Sequence, residues 1–178
     1  LVCEHPCERR CRRGLLDAPI NIRGIKKFAV DSCAADKAPV PERSAQTNRR
    51  VAVIGGGPSG LTCAYFLSLM GHDAVIFEAR KHLGGMLRYG IPAYRLPRER
   101  LEEDINAILA VGGIEVRLET KVDTKVMTEL QNEFDAVYVA IGAQKGKGLR
   151  IDGAIPEGVF SAVHLLGRIG DRHYPDFS

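Results

Sequence analysis

A glycine motif between two apolar runs gives the clearest indication of the fold. Residues 51–78 read VAVIGGGPSGLTCAYFLSLMGHDAVIFE, which predicts a strand, the pattern Gly55-x-Gly57-x-x-Gly60, a helix and a second strand. In such a pattern the first glycine permits a tight turn, the second lets the backbone approach a pyrophosphate, and the third lets helix and strand pack closely. The stretch therefore predicts a βαβ unit of a parallel sheet, with the helix N-terminus facing phosphate groups.

An acidic residue, Glu78, ends the second predicted strand, about 20 residues after the motif. A carboxylate at this place accepts hydrogen bonds from ribose hydroxyls and repels a 2′-phosphate. NADP is therefore disfavoured at this turn, which leaves FAD or NAD. The structural alternative is a glycine turn that serves only to pack a helix.

Strands and helices also alternate in the rest of the chain. The stretch PRERLEEDINAILAVGG predicts an amphipathic helix, IEVRL a strand, and DAVYVAI a buried strand that ends at Gly142. Near the N-terminus, Ile22, Ile25, Phe28 and Ala29 follow one helical face. The expected fold is α/β with a parallel sheet, preceded by a small α-helical, cysteine-rich segment.

The chain is expected to divide into four parts. A cysteine-rich segment covers 1–37, a proline-containing linker or surface strap 38–50, and a dinucleotide-binding domain 51–153. The part at 154–178 is expected to begin a connection to a second domain that this chain lacks. The chain begins with Leu1 rather than Met, so we expect it to be a piece of a longer protein.

A second glycine pair favours FAD over NAD. Gly84 and Gly85 lie within HLGGMLRYGIPAYRLP and provide a second place for close backbone approach to an extended ligand. A plain NAD fold needs neither this stretch nor a strand that leaves the sheet at Gly142. An NAD-binding module without flavin is the weaker alternative.

Three stretches, GGMLRYGIPAYRLP, VIGGGPSGL and VYVAIGA, carry a family resemblance. Together they resemble the FAD domain of the glutamate synthase small (beta) subunit family. That family is related to the flavin-containing N-terminal half of dihydropyrimidine dehydrogenase and, more distantly, to adrenodoxin reductase. The resemblance runs from Cys3 to about Gly153 and implies a Rossmann-like FAD-binding domain.

The resemblance also implies roles for individual residues. The residues that it assigns to the pyrophosphate are Gly55, Gly56, Gly57, Pro58, Ser59 and Gly60. It assigns the adenosine ribose to Glu78 and the adjoining part of FAD to Ala79, Arg80, Gly85 and Met86. Arg95 is similar in position to a flavin- or phosphate-contacting arginine, Val122 to the residue whose backbone meets adenine, and Gly142 to the glycine beside the flavin. Arg95 as a surface ion-pair residue and Val122 as core remain alternatives.

The N-terminal stretch VCEHPCERRCRRG spaces Cys3, Cys7 and Cys11 four residues apart. Three thiolates at this spacing can converge on an iron-sulfur cluster, and neighbouring arginines favour the thiolate form. Zinc, with His5 as a fourth ligand, is the alternative metal. The stretch resembles the family segment that carries 4Fe-4S ligands. The family has further cysteines upstream, so the ligand set here is incomplete.

Cys33 and Cys63 are expected to be small buried residues. Five cysteines without secretory features indicate a reducing, cytoplasmic setting. The net charge of +3 gives nucleic-acid binding no support, and no apolar run approaches the roughly 20 residues of a membrane-spanning helix. The arginines at 9, 10, 12 and 13 are expected to form a solvated face, with an acidic partner protein as the alternative.

The family's chemistry supplies the functional prediction. In that family NAD(P)H reduces FAD by hydride transfer, and iron-sulfur clusters pass single electrons to a partner domain or subunit. Only 36 residues follow Gly142, without a second GxGxxG, so the NAD(P)H site is expected outside this chain. The prediction is an FAD-binding fragment of an NAD(P)H-dependent iron-sulfur oxidoreductase, with no catalytic residue assigned. A non-catalytic redox adaptor is the alternative.

Overall fold

The computed structural model describes residues 2–33, 39–146, 148, 158–171 and 173. The chain forms two compact units, Leu1–Pro39 and Val40–Ser178. The boundary falls near the start of the stretch expected to be a linker. The finer division at 37, 50 and 153 stays a prediction, and Gly153 itself lies outside the described residues.

The first unit contains short helical elements. Helix α1 spans Pro6–Arg9, a 3-10 turn spans Arg12–Leu15, and helix α2 spans Ile22–Ser32. The side chain of Asn21 accepts a hydrogen bond from the Gly24 N–H and so caps α2. None of the three elements buries a residue, and the Phe28 side chain on α2 is 74% exposed.

Cys33, which directly follows α2, is exposed, so the prediction that it is buried was wrong. The physical reason is that the first unit's described residues build no core into which a thiol could pack. Cys63, in the second unit, is half-buried, and this burial raises the pKa of its thiol.

The second unit is an α/β domain. Its elements in chain order are β1 (Arg50–Ile54), α3 (Pro58–Leu69), β2 (Asp73–Phe77), α4 (Met86–Tyr89), α5 (Arg98–Leu109), β3 (Ile114–Arg117), α6 (Thr124–Glu133), β4 (Ala136–Val139) and α7 (Ala162–Gly170). The four strands are all parallel, in the order β3-β2-β1-β4. The predicted α/β class with a parallel sheet is confirmed.

The sheet buries both faces of its two central strands. Val51 and Val53 of β1 point into one cluster, which includes Leu61 of α3 and Leu101 of α5. The intervening residues of β1 point into a second cluster on the opposite face, with residues of α6. This alternation explains why β1 and β2 read as continuous apolar runs.

β4 differs from the expectation of a buried strand. Tyr138 is 40% and Val139 54% exposed, although β1 and β2 are almost fully buried. β4 is an edge strand, as is β3 on the opposite side, and in the part of the chain that is described it pairs only with β1. Its apolar sequence therefore indicated a strand correctly, but not the strand's place in the sheet.

Helices α6 and α7, like the four-residue α4, were not predicted from the sequence. α6 begins after Asp123, whose carboxylate accepts a hydrogen bond from the Val126 N–H. Its polar residues outnumber the few apolar ones, among which Leu130 is buried in the second cluster.

In the described portion of the chain, no helix combines the length and apolar character needed to cross a bilayer.

A segment within the predicted linker lies along the C-terminal end of α3. The Ser44 N–H donates to the Leu69 carbonyl at 2.9 Å, and the Thr47 N–H donates to the Gly71 carbonyl at 2.9 Å. Arg43 donates to the Ser68 carbonyl at 3.1 Å. These contacts give the segment leading into β1 a defined path over the second unit.

Candidate dinucleotide site

Two motif glycines, Gly55 and Gly60, are required by the packing of the domain itself. Gly55 has φ +108°, and a Cβ there would overlap the carbonyl oxygen of Ala140, just beyond β4. A Cβ on Gly60 would overlap the carbonyl oxygen of Gly55. Strand, turn and helix therefore approach one another more closely than any side chain allows.

Gly57, the middle glycine of the motif, has a different environment. Its φ of −80° is open to any residue, and it is the N-cap of α3 without a side-chain capping bond. The nearest atom to a Cβ placed there would be the Gly85 Cα, at 3.7 Å, which is ordinary van der Waals contact. The domain's packing thus leaves room at Gly57, in front of the N-terminus of α3.

The second glycine pair packs against the glycine motif. The Gly84 N–H donates to the Gly56 carbonyl at 2.8 Å. Gly85 has φ +51°, and a Cβ there would come within 2.8 Å of the Gly57 Cα. The two stretches that the sequence suggested as separate places of backbone approach therefore form one continuous surface, which we call the glycine cradle (Gly55–Gly57 and Gly84–Gly85).

Glu78 lies beside the glycine cradle, at the carboxyl end of β2. Its side chain is buried, with 9% exposure, and both carboxylate oxygens accept backbone hydrogen bonds. Oε2 accepts from the Gly56 N–H at 2.7 Å and Oε1 from the Arg80 N–H at 2.9 Å. These two bonds hold the carboxylate in place between the motif and the loop after β2.

The Arg80 side chain is directed toward α4 and the end of α7. Its guanidinium lies 4.1 Å from the Tyr89 ring centroid, and Nη1 lies 3.3 Å from Asp171 Oδ2. Burial is the main factor that raises the pKa of the Tyr89 phenol, and the Asp171 carboxylate raises it further. The positive charge is therefore balanced by Asp171 and the aromatic ring rather than by Glu78.

A cavity of about 450 Å³ opens on this side of the domain. Arg80 lines it together with residues after β4, such as Lys145, and residues of α7, such as His164 and Arg168. It lies at the carboxyl ends of parallel strands, which is where ligands bind in sheets of this type. Its lining is mainly polar and basic, as suits an anionic ligand.

The remaining predicted site residues occupy varied places. Pro58 and Ser59 are the first two residues of α3, and Met86 is the first residue of α4. The others are placed as follows: Ala79 and Arg95 are exposed, Val122 is half-buried against the second core cluster, and Gly142 has φ +65°. The contact of Val122 agrees with the alternative that it is core.

Sequence reasoning missed Arg88, in the four-residue helix α4. Arg88 is buried, with 6% exposure; its Nε donates to the Leu83 carbonyl at 2.7 Å, and its guanidinium pairs with Glu102. It thereby ties the loop before the second glycine pair to α5. An arginine in a short helix usually lies on the surface, so no sequence signal distinguishes this one.

Tyr138 was also missed as a residue of this region. Its Oη lies 2.9 Å from the Oγ of Ser59 in the first turn of α3. The available signal was the alternation of β4, which puts every second side chain on the α3 face.

The three N-terminal cysteines do not form a metal-binding group. Cys3 precedes α1, Cys7 lies within it, and Cys11 precedes the 3-10 turn; the first two are exposed and the third is half-buried. Among the residues with a described position, no three or more His, Cys, Asp or Glu side chains are grouped to hold a metal ion. Backbone N–H groups, that of Ile20 foremost, lower the pKa of the Cys11 thiol. This arrangement does not fit a cluster.

Comparison with known proteins identifies relatives of the chain. Residues 53–102 match the model of the NAD(P)-binding Rossmann-like domain family. The NADPH-Fe(3+) oxidoreductase subunit beta of Geobacter sulfurreducens is 40% identical over 156 residues, which is 85% of this chain and 23% of that protein. The glutamate synthase [NADPH] small chain of Mycobacterium tuberculosis is 35% identical over 172 residues, which is 93% of this chain and 34% of that protein. The resemblance to the glutamate synthase small-subunit family is confirmed.

The relatives are much longer than this chain, which spans about a quarter to a third of the two named above. Among solved structures, FprA from Mycobacterium tuberculosis in complex with NADPH aligns with a TM-score of 0.59 and 21% identity, over 67% of this chain and 28% of that one. At this identity the likeness establishes the fold: a Rossmann-like α/β domain.

Proposed function

We propose that this chain is the FAD-binding part of an NAD(P)H-dependent flavoprotein oxidoreductase of the glutamate synthase small-subunit type. The observation that carries the proposal is the glycine cradle with Glu78 beside it, at the carboxyl edge of the parallel sheet. In the intact protein, FAD would receive electrons from NAD(P)H and deliver them to an electron-accepting partner subunit or domain.

The residues present fit FAD. The room in front of Gly57 lies at the N-terminus of α3, where the helix dipole favours an anion, so this is the proposed pyrophosphate position. The second glycine pair extends the same surface, as a long ligand requires. Bound FAD would supply hydride acceptance and single-electron transfer, while the protein supplies binding and orientation.

Glu78 supports a ligand without a 2′-phosphate at this turn. Its carboxylate is held beside the motif by two backbone N–H groups, and the nearby Arg80 guanidinium is engaged by Asp171 and Tyr89. A 2′-phosphate here would face a fixed negative charge. We therefore propose FAD for this site and an NAD(P)H site elsewhere in the longer protein, in line with the names of the relatives. The individual roles of Ala79, Arg95 and Gly142 stay proposals.

No electron-transfer step is proposed through the N-terminal cysteines, because their described arrangement does not fit a cluster. The partner proposal is supported instead by the relatives, one of which is named as a subunit and another as a small chain. A reducing, cytoplasmic setting is proposed because an odd number of cysteines, five, does not suggest a disulfide scaffold.

The test is a comparative titration of the purified chain with FAD, NAD⁺ and NADP⁺. FAD is expected to bind most tightly, with a shifted visible spectrum that dithionite bleaches, and NADP⁺ least tightly. Glu78→Gln is the matched variant: removing the negative charge should narrow the gap between NAD⁺ and NADP⁺. Preference for NADP⁺ in the unmodified chain, or binding of none of the three, would refute the proposal.

A further inference from the structure

The hydrogen bond between Tyr138 and Ser59 joins two parts of the domain that lie 79 residues apart in sequence. Ser59 is the second residue of α3, next to the glycine cradle. Tyr138 lies opposite Val53 in the parallel register of β1 and β4, and Val53 points into the core cluster on the α3 face. The register therefore puts the Tyr138 ring on the side of the sheet where α3 begins.

The bond lies at the place where doubly wound sheets bind their ligands. The sheet order β3-β2-β1-β4 reverses direction at β1, and ligands of doubly wound sheets bind at that reversal. The bond spans β4 and the first turn of α3, on either side of the reversal. It is exposed to solvent, where a hydroxyl pair adds little to the stability of a fold.

The two hydroxyls have two protons between them, and their mutual hydrogen bond uses only one. Each hydroxyl has one proton and two acceptor lone pairs, and either Tyr138 or Ser59 can be the donor in the bond between them. If Tyr138 donates to Ser59, the Ser59 proton is left for a second acceptor. An anion at the N-terminus of α3 favours this orientation, since a chain of hydrogen bonds that ends on a negative charge is strengthened along its length.

We propose that Tyr138 is a positioning residue for the dinucleotide: its phenol donates to Ser59 and so holds the Ser59 hydroxyl ready to donate to the pyrophosphate. The inference rests on the proposed function, because it names a further residue of the same site. Tyr138 need not touch the ligand, since it acts through Ser59.

The experiment is a double-mutant cycle on FAD dissociation, with Tyr138→Phe, Ser59→Ala and the double variant. Each single change is expected to weaken FAD binding roughly 3- to 10-fold, as for the loss of a hydrogen bond to a charged group. The double variant is expected to bind no more weakly than Ser59→Ala alone, because both changes remove the same donor. The ³¹P resonances of bound FAD should shift alike in both single variants.

Tyr65→Phe provides the matched control. It likewise removes a phenolic hydroxyl, but from a residue of α3 that lies about 9 Å from Ser59 along the helix axis. We expect it to leave FAD binding unchanged. All variants should keep the urea midpoint of the unmodified protein within error.

Three outcomes would overturn the inference. Tyr138→Phe could bind FAD like the unmodified chain, the effects of the two changes could multiply in the double variant, or the ³¹P resonances could remain in place. If the unmodified chain binds no dinucleotide, the proposed function fails first and the inference with it. If the unmodified chain binds FAD but the free-energy effects of Tyr138→Phe and Ser59→Ala add in the double variant, the inference fails while the proposed function stands.

Discussion

Gly57→Ala is expected to separate ligand binding from folding. The substitution adds one methyl group. Among the described residues, apart from its own chain neighbours, only the Gly85 Cα lies within 4 Å of it, at 3.7 Å, and the φ of −80° suits alanine. Alanine is a poorer N-cap than glycine by about 0.5–1 kcal/mol. It also restricts the unfolded chain, which stabilises the fold by about 0.4–1 kcal/mol. These opposing effects leave the free energy of unfolding within about 1 kcal/mol of its original value.

The same methyl group is expected to weaken FAD binding strongly. It occupies the room in front of α3 that the proposed pyrophosphate needs, and overfilling a close-packed site costs about 1–3 kcal/mol. The dissociation constant should therefore rise roughly 5- to 150-fold. Quenching of FAD fluorescence gives the affinity, and urea unfolding followed by circular dichroism gives the stability.

Gly60→Ala is the contrasting variant. Its methyl group would overlap the Gly55 carbonyl oxygen, so α3 has to move away from β1. We expect it to lose about 3 kcal/mol or more of unfolding free energy and to bind FAD poorly as a result. Two results would refute this reasoning about the cradle: Gly57→Ala that binds FAD as tightly as the unmodified chain, or Gly57→Ala that unfolds as readily as Gly60→Ala.

Three further predictions concern residues away from the cradle. Asp123→Ala should lower the free energy of unfolding by about 1 kcal/mol because α6 loses its N-cap bond, and Asp123→Asn, which keeps an acceptor, should lower it less; urea titration distinguishes them. The pKa of the half-buried Cys63 thiol is raised, so iodoacetamide should label it more slowly at pH 8 than the exposed Cys33; equal rates by peptide mass spectrometry would contradict this. The backbone N–H of Arg50, and then the guanidinium of Arg49, lower the pKa of the Asp135 carboxyl. The stability that this carboxylate contributes is therefore present above its unfolded pKa of about 3.9 and is lost as the pH falls through the lower folded value. Asp135→Asn should thus lower the urea midpoint more at pH 7 than at pH 2, and an equal loss at both pH values would contradict this.

Several elements could be predicted from local spacing along the chain. The glycine motif between two apolar runs predicted β1, α3 and β2, because the turn requires glycine at particular steps and a buried parallel strand is apolar throughout. Acids at the start and glycines after the end likewise marked α5. The family resemblance came from short stretches whose residues are close in the chain.

Which residues meet across the sheet became known only from the folded domain. In the folded domain the second glycine pair packs against Gly57, Arg88 is buried, and Tyr138 lies beside Ser59. Folding also left β4 at the edge, where an apolar strand is exposed, and kept the N-terminal cysteines apart. Spacing along the chain cannot supply such facts, because strand order and helix packing join residues tens of positions apart, whereas periodicity reports only neighbours within a turn or a strand.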